Sequence, residues 1–129
     1  PSYHYSPTRL ESIVSQLQTG QRNVIEFRHA SWWNEEVYAA LKEANIIFCS
    51  SSAPLLPEQL VETAEDIYIR FHGKKAWYRY DYSQEELELW VKRIQQVKAQ
   101  TVWIYFNNDY DGNAIKNAKA LARLLQTKL

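Results

Sequence analysis

The chain has little of what several classes of protein require. Its 129 residues contain one cysteine, Cys49, so no disulfide can form within the chain, and the apolar residues before Cys49 predict a buried, reduced thiol. No apolar run approaches the roughly 20 residues that span a bilayer, and no signal-peptide pattern is present. We therefore expect no membrane partner and a cytoplasmic location. Methionine is absent and the chain begins at Pro1, which indicates a processed or trimmed N-terminus.

Net charge is absent as well. Fifteen basic and fifteen acidic residues cancel, so the chain has no overall field that would attract nucleic acid or an anionic membrane. We expect no nucleic-acid partner. The length suits one domain with an ordinary core, and residues 1–129 are therefore predicted to form a single domain.

Helical and strand patterns alternate along the chain. The predicted strands cover residues 24–29, 46–50, 67–73 and 102–107. The predicted helices follow a Ser6 cap, a Ser31 cap, Pro57, the capping box Ser83-Gln84-Glu85-Glu86, and Asp111-Gly112. Four βα units after a first helix indicate an α/β fold with a parallel sheet.

Three of the strands separate apolar from polar residues, because strand side chains alternate between two faces. One face carries Ile25, Phe27, Ile69, Phe71, Val102, Ile104 and Phe106. The other carries Glu26, Arg28, Tyr68, Arg70, His72, Trp103, Tyr105, Asn107 and Asp109. The central strands of an open doubly wound sheet are apolar on both faces, whereas the inward face of a barrel opens at its mouth. The pattern therefore favours a (β/α) barrel, of which four units form one half.

Several motifs resemble the YecE-like family, a domain of unknown function, over nearly all the chain. They are Glu26-Phe27-Arg28-His29 with Ser31-Trp32, Arg70-Phe71-His72-Gly73, Tyr78-Arg79-Tyr80 with Tyr82-Ser83, and Phe106-Asn107-Asn108-Asp109 with Gly112 and Asn117-Ala118. The resemblance implies a barrel of the triosephosphate-isomerase type, with this chain as the C-terminal half, and it implies no particular reaction. Ser52 stands where family members often carry an acidic residue.

The polar residues predict a ligand site at the barrel mouth. Arg28 and Arg70 would clamp a carboxylate or phosphate, and Glu26 or His72 would be the general acid or base. The further ligand-binding candidates are His29, Tyr78, Arg79, Asn107, Asn108 and Asp109. We expect a small-molecule enzyme that acts on an anionic or sugar-like substrate.

Other interpretations of the same residues stay open. The cluster could bind a ligand without catalysis, or Glu26 and Arg28 could be an ion pair that only orders the mouth. A metal site from Glu26, His29, His72 and Asp109 lacks the spacing of any compact motif, so we predict no metal, and no pattern indicates a cofactor. The aromatic run from Trp77 to Tyr82 could stack on a sugar or base, or pack over the mouth.

Completeness of the barrel is a separate question. Four units cannot close a barrel, so the inner face with Tyr68, Trp103 and Tyr105 needs a cover. The expected cover is either a second copy of the chain, as a homodimer, or a missing N-terminal half of the barrel.

Overall fold

Helices and strands alternate, except between the second and third strands, in a computed structural model that describes residues 2–127. The helices are α1 (Pro7–Gln16), α2 (Glu35–Glu43), α3 (Gln84–Gln96) and α4 (Asn113–Thr127). The strands are β1 (Val24–Ile25), β2 (Ile47–Ser52), β3 (Asp66–Phe71) and β4 (Thr101–Phe106). Two 3-10 turns cover Ala30–Trp32 and Tyr110–Gly112. Pro1, at which the sequence begins, lies outside the described residues.

The four strands form one parallel sheet in the order β1-β2-β3-β4. Arg70 of β3 is level with Ser51 of β2 and with Tyr105 of β4. Because all the strands run the same way, their C-terminal ends meet at one edge, where the polar residues of the sequence motifs lie. The sheet is open, and β1 and β4 are its edge strands.

The period-two alternation that the sequence predicts is confirmed in β3 and β4. In β3, Ile69 and Phe71 are fully buried, while Arg70 between them is half-buried on the other face. In β4, Ile104 packs against the same core as Ile69, while Trp103 and Tyr105 are 41% and 43% exposed. The face that α3 and α4 cover is therefore apolar, and the opposite face carries aromatic and polar groups.

Two clusters of apolar side chains hold the helices to the sheet. The first lies among α1, α2 and the first two strands and contains Leu10, Phe27, Trp32, Val37, Leu41, Ile46, Phe48 and Val61. The second lies between β3, β4 and the last two helices and contains Ile67, Ile69, Phe71, Tyr82, Leu87, Trp90, Val91 and Leu121. Burial of apolar surface of this extent is the main favourable contribution to folding.

The start of α2 differs from the prediction. Ser31 lies in a 3-10 turn, and the N-cap is Asn34, whose Oδ1 accepts a 3.0 Å hydrogen bond from the Val37 amide. The Ser31 hydroxyl is used elsewhere, because it accepts a 2.8 Å hydrogen bond from the Tyr5 amide. The predicted cap was wrong because the Ser31 hydroxyl is bound to a residue distant in the sequence. Asn34, three residues later, caps the helix instead.

The segment between β2 and β3 also differs from the prediction. No helix begins near Pro57; residues 53–65 are irregular, and their amides and hydroxyls bind to β2. The Val61 amide donates to the Ser50 hydroxyl, and the Thr63 hydroxyl donates to the Ile46 carbonyl. β2 runs to Ser52, two residues past its predicted end, because Ser51 and Ser52 pair with Arg70 and Phe71 of β3.

The first strand is shorter than predicted, since only Val24–Ile25 pairs with β2 and residues 26–29 continue beyond the ladder.

The capping box of α3 is confirmed, with the Ser83 hydroxyl bound to the Glu86 amide. Ala114 and Leu121 of α4 are buried. Among the helices of residues 2–127, none combines the length and apolarity needed to cross a membrane.

Candidate functional site

Polar residues at and just beyond the C-terminal ends of β1 and β3 meet around the carboxylate of Glu26. Its Oε1 accepts a 2.9 Å hydrogen bond from Arg28 Nε and lies 3.0 Å from His72 Nε2. Its Oε2 accepts a 2.8 Å hydrogen bond from Arg70 Nη1. Two guanidinium groups and one imidazole ring therefore share one carboxylate.

The surroundings of Glu26 hold it in the ionised state. Burial by itself raises the pKa of a carboxyl group, but the hydrogen bond and charge of His72, the charge of Arg70 and the hydrogen bond from Arg28 lower the pKa of Glu26 from 4.5 to about 2. A carboxylate with this pKa is a poor proton acceptor near neutral pH. The geometry therefore makes Glu26 a counter-ion and an orienting group.

Arg70 is held from both sides but retains free donors. Asn107 Oδ1 accepts hydrogen bonds from Arg70 Nε at 3.1 Å and from Arg70 Nη2 at 2.8 Å. Glu26 accepts a third hydrogen bond, from Arg70 Nη1. A guanidinium group has five N–H donors, so three bonds leave two without a partner among residues 2–127. The side chain is 30% exposed, which leaves those donors accessible.

Arg28 lies at the outer side of the same cluster, with 46% of its side chain exposed. Its Nη1 is 3.5 Å from the Tyr78 hydroxyl, and its guanidinium carbon lies 5.4 Å from the Trp77 ring centre. Burial lowers the pKa of Arg28, but the hydrogen bond and charge of Glu26 outweigh it and raise that pKa. Its two hydrogen bonds leave three of five donors free among the described residues.

His72 is fully buried at the end of β3. Its Nε2 faces Glu26, while its Nδ1 is buried without a hydrogen-bond partner among the residues that the structure describes. The rings of Trp77 and Tyr78 lie over it, with centroid distances of 5.3 and 5.9 Å. The aromatic run predicted from sequence therefore packs over the mouth.

The remaining predicted site residues lie outside this cluster. His29 Nδ1 contacts the Ser31 hydroxyl at 2.8 Å, and its ring lies 3.9 Å from that of His4. Arg79 packs over the ring of Tyr110, at 4.9 Å, and Asp109 is exposed before the turn Tyr110–Gly112. None of the three is bonded to Glu26 in the part of the chain that the structure covers.

Asn108 is also turned away from the cluster, and it is buried. Its Nδ2 donates to the Tyr80 carbonyl and to Asn117 Oδ1, both at 2.7 Å. Asn117 in turn accepts from the Tyr82 amide at 3.2 Å. Both amide hydrogens of Asn108 therefore join the loop of residues 74–82 to α4, which gives Asn108 a structural role.

Sequence reasoning missed the polar residues that fix the two ends of the covering loop, residues 74–82. At one end, Lys74 Nζ lies 3.2 Å from Glu58 and 3.6 Å from Glu86. At the other, the Tyr82 hydroxyl donates to Ser52 Oγ at 2.9 Å. Glu58 also accepts from Ser52, at 3.1 Å, so an acidic group does reach the position where the family often has one. The spacing of these residues in the sequence carries no signal that could have shown this contact.

Metal binding from the predicted residues finds no geometric basis. Among residues 2–127, no group of three or more His, Cys, Asp or Glu side chains is arranged to hold a metal ion. Glu26 and His72 are in contact, but His29 and Asp109 are not part of their cluster. A hollow of about 190 Å³ lies beside the cluster, lined by Tyr3, Glu26, Phe27, Arg28, His29 and Trp32.

A parallel sheet packed against helices, with charged side chains at the C-terminal ends of its strands, defines an α/β protein. The comparisons with known proteins identify the family. The sequence profile described as "Protein of unknown function DUF72" matches residues 1–129. The chain belongs to the DUF72 family, and the resemblance to the YecE-like family is thereby confirmed.

Relatives of known sequence and structure agree with this assignment. The UPF0759 protein YunF of Bacillus subtilis strain 168 is 30% identical, over 78% of this chain and 45% of that protein. A DUF72 family protein from Thermotoga maritima is 29% identical, with a TM-score of 0.86 over 97% of this chain and 54% of that chain. One from Enterococcus faecalis V583 has the same fold, with a TM-score of 0.87 at 19% identity. The chain spans about half the length of these relatives.

Proposed function

We propose that the chain forms one half of a (β/α) barrel of the triosephosphate-isomerase type, as a single domain, and that the mouth of this barrel binds a small anionic ligand. The observation that carries the proposal is the imbalance of charge around Glu26. Two guanidinium groups face one carboxylate, and among residues 2–127 no other acid lies within ion-pair distance of either. Arginine binds carboxylate and phosphate oxygens through paired N–H groups.

The proposed chemistry is acid–base catalysis by His72 on the bound anion. The lowered pKa of Glu26 argues against its acting as the base and favours the role of orienting His72. A carboxylate that holds one imidazole nitrogen and leaves the other for a reacting group is a recurrent arrangement in enzymes. Arg28 and Arg70 would hold the anionic group of the substrate beside it.

A second candidate function is binding without catalysis. It is favoured by the engagement of Glu26 with three partners and by the small size of the hollow beside it. Both candidate functions include binding of an anionic ligand, and they differ in whether His72 acts as a catalyst. Turnover of a ligand that depends on His72 would separate them.

Calorimetry with phosphate and with citrate, near neutral pH, tests the anion. Arg70→Met should weaken binding by about 1.5–3 kcal/mol, the range for a hydrogen bond to a charged group. Arg123→Met is the matched control, since it removes the same charge from an exposed position on α4 and should leave binding unchanged. Absence of anion binding to the unaltered protein would contradict the proposal.

A further inference from the structure

The second nitrogen of His72 has a specific chemical state. Glu26 is ionised and can only accept hydrogen bonds, so the His72 nitrogen that faces it at 3.0 Å, Nε2, must carry a hydrogen. In the neutral ring the other nitrogen then has a lone pair and no hydrogen. In that state of the ring, Nδ1 is a hydrogen-bond acceptor.

This acceptor is buried without a protein donor. His72 Nδ1 has no hydrogen-bond partner among residues 2–127, and its side chain is completely shielded from solvent. A buried polar atom without a partner costs free energy, and such atoms in native proteins require an explanation. A hydrogen-bond donor on a bound ligand is one such explanation. It also fits the position of His72 beside the two arginines.

The groups that would hold the anion lie next to this acceptor. Arg28, Arg70 and His72 all contact the same carboxylate, at 2.8 to 3.0 Å. The two arginines thus lie one carboxylate away from the ring that carries the second nitrogen. A small ligand with an acid group and a nearby hydroxyl could reach both.

We propose that His72 Nδ1 accepts a hydrogen bond from a hydroxyl group of the ligand, so that the anion bound at this mouth is a hydroxylated one, either a hydroxycarboxylate or a hydroxylated phosphate ester. The inference rests on the proposed function and narrows its ligand.

The covering loop lies between the His72 ring and solvent, with Trp77 and Tyr78 against the ring. Its ends are fixed by Lys74 and Tyr82, whereas its outermost residues, 75–79, are exposed or half-buried. Tyr78 lies in the left-handed region with φ 66°, an unfavourable conformation for an aromatic residue, and its amide donates to the His72 carbonyl at 2.6 Å. Outward movement of residues 75–79 would expose Nδ1 without disturbing the ends of the loop.

Pairs of ligands that differ by one hydroxyl group test the inference by calorimetry. Lactate and propionate form the carboxylate pair, and glycerol phosphate and propyl phosphate form the phosphate pair. In at least one pair the hydroxylated member should bind about tenfold more tightly, the upper end of the range for one hydrogen bond. The pair that shows the difference identifies the acid group.

A substitution at His72 assigns the difference to its Nδ1. In His72→Gln the side-chain amide can still donate to Glu26 from the place of Nε2, but the Nδ1 acceptor is lost. The preference for the hydroxylated ligand should fall to about twofold or less, while the affinity for propionate or propyl phosphate stays within about twofold, because only one hydrogen bond is removed. A preference that persists in this variant would overturn the inference.

A measurement on the unaltered protein covers the case in which His72→Gln does not fold. With histidine labelled by nitrogen-15, the hydroxylated ligand should shift the Nδ1 resonance of His72, and its partner should not. Equal binding and equal shifts for both members overturn the inference and leave anion binding intact. Failure of every anion to bind overturns the proposed function as well.

Discussion

Asn107 Oδ1 accepts two hydrogen bonds from Arg70, at 3.1 Å from Nε and 2.8 Å from Nη2. Because Asn107 follows β4 and Arg70 lies in β3, the pair joins the ends of two neighbouring strands. The neutral amide orients the guanidinium group without neutralising it. That is the property that an anion site needs.

Two substitutions at Asn107 separate orientation from charge. Asn107→Ala should weaken phosphate binding by about 1 kcal/mol, the scale of a neutral hydrogen bond, because Arg70 loses its support. Asn107→Asp should weaken it further, because a second carboxylate cancels the excess positive charge. Calorimetry at pH 7 measures both, and an Asn107→Asp protein that binds phosphate as tightly as the unaltered protein would contradict the proposed site.

The stability of the protein should decline in acid through Glu26. Its folded pKa of about 2 lies below the ordinary 4.5, so the ionised group stabilises the fold above about pH 4.5, and this stabilisation is lost as the pH falls towards 2. The contribution is up to about 3 kcal/mol for a shift of this size. Urea unfolding between pH 7 and 3 measures it.

Glu26→Gln is the variant for that measurement. It should be less stable than the unaltered protein at pH 7, because two guanidinium groups lose their counter-ion, and it should lose less stability on acidification. Glu43→Gln, at the exposed end of α2, is the control. Parallel pH profiles for Glu26→Gln and the unaltered protein would show that Glu26 does not carry this dependence.

Cys49 should be inert towards thiol reagents in the folded protein. Burial, together with the charge of Glu26 at 3.8 Å from its Sγ, raises the pKa of Cys49 from 9.0 to about 12. The thiolate is the reactive species, so labelling by a disulfide reagent at pH 8 should be negligible in native protein and complete in urea. Rapid labelling without urea would mean that β2 is exposed around Cys49.

Gly73 should be intolerant of a side chain. A Cβ there would lie 2.2 Å from the Ala76 carbonyl oxygen, and its φ is +111°. Gly73→Ala should therefore cost more than about 2 kcal/mol of stability, whereas Gly20→Ala, with φ +83° and no atom within 4 Å, should cost about 1 kcal/mol. Equal effects of the two substitutions on urea unfolding would contradict the loop geometry.

The inner face of the sheet should associate with another surface. Trp103 and Tyr105 are 41% and 43% exposed there, and the sheet is open at both sides. We expect the isolated 129 residues to form dimers or larger species in sedimentation, or to bind an apolar dye. Trp103→Arg should reduce this association, whereas Ile115→Arg, at a 65% exposed position on α4, should not. A compact monomer without dye binding would refute this expectation.

Most of the fold could be predicted because its signals are local. Alternation in β3 and β4 predicted which face is apolar, and the capping box of α3 was readable from Ser83 and Glu86. The start of α2 was not readable, because Ser31 and Asn34 are both good caps and a contact with Tyr5 decided between them. The extension of β2 to Ser52 likewise depends on distant partners.

For the candidate site, the sequence by itself determined that Glu26, Arg28, Arg70, His72 and Asn107 lie on one face at the ends of parallel strands, since period-two alternation and strand direction are local properties. Only the tertiary structure decided what each residue does there. Loop closure placed Trp77 and Tyr78 over His72, and the packing of α4 turned Asn108 inward to Tyr80 and Asn117. Hydrogen-bond partners, burial and pKa depend on atoms that lie far apart in the chain, and a local pattern cannot specify those distances.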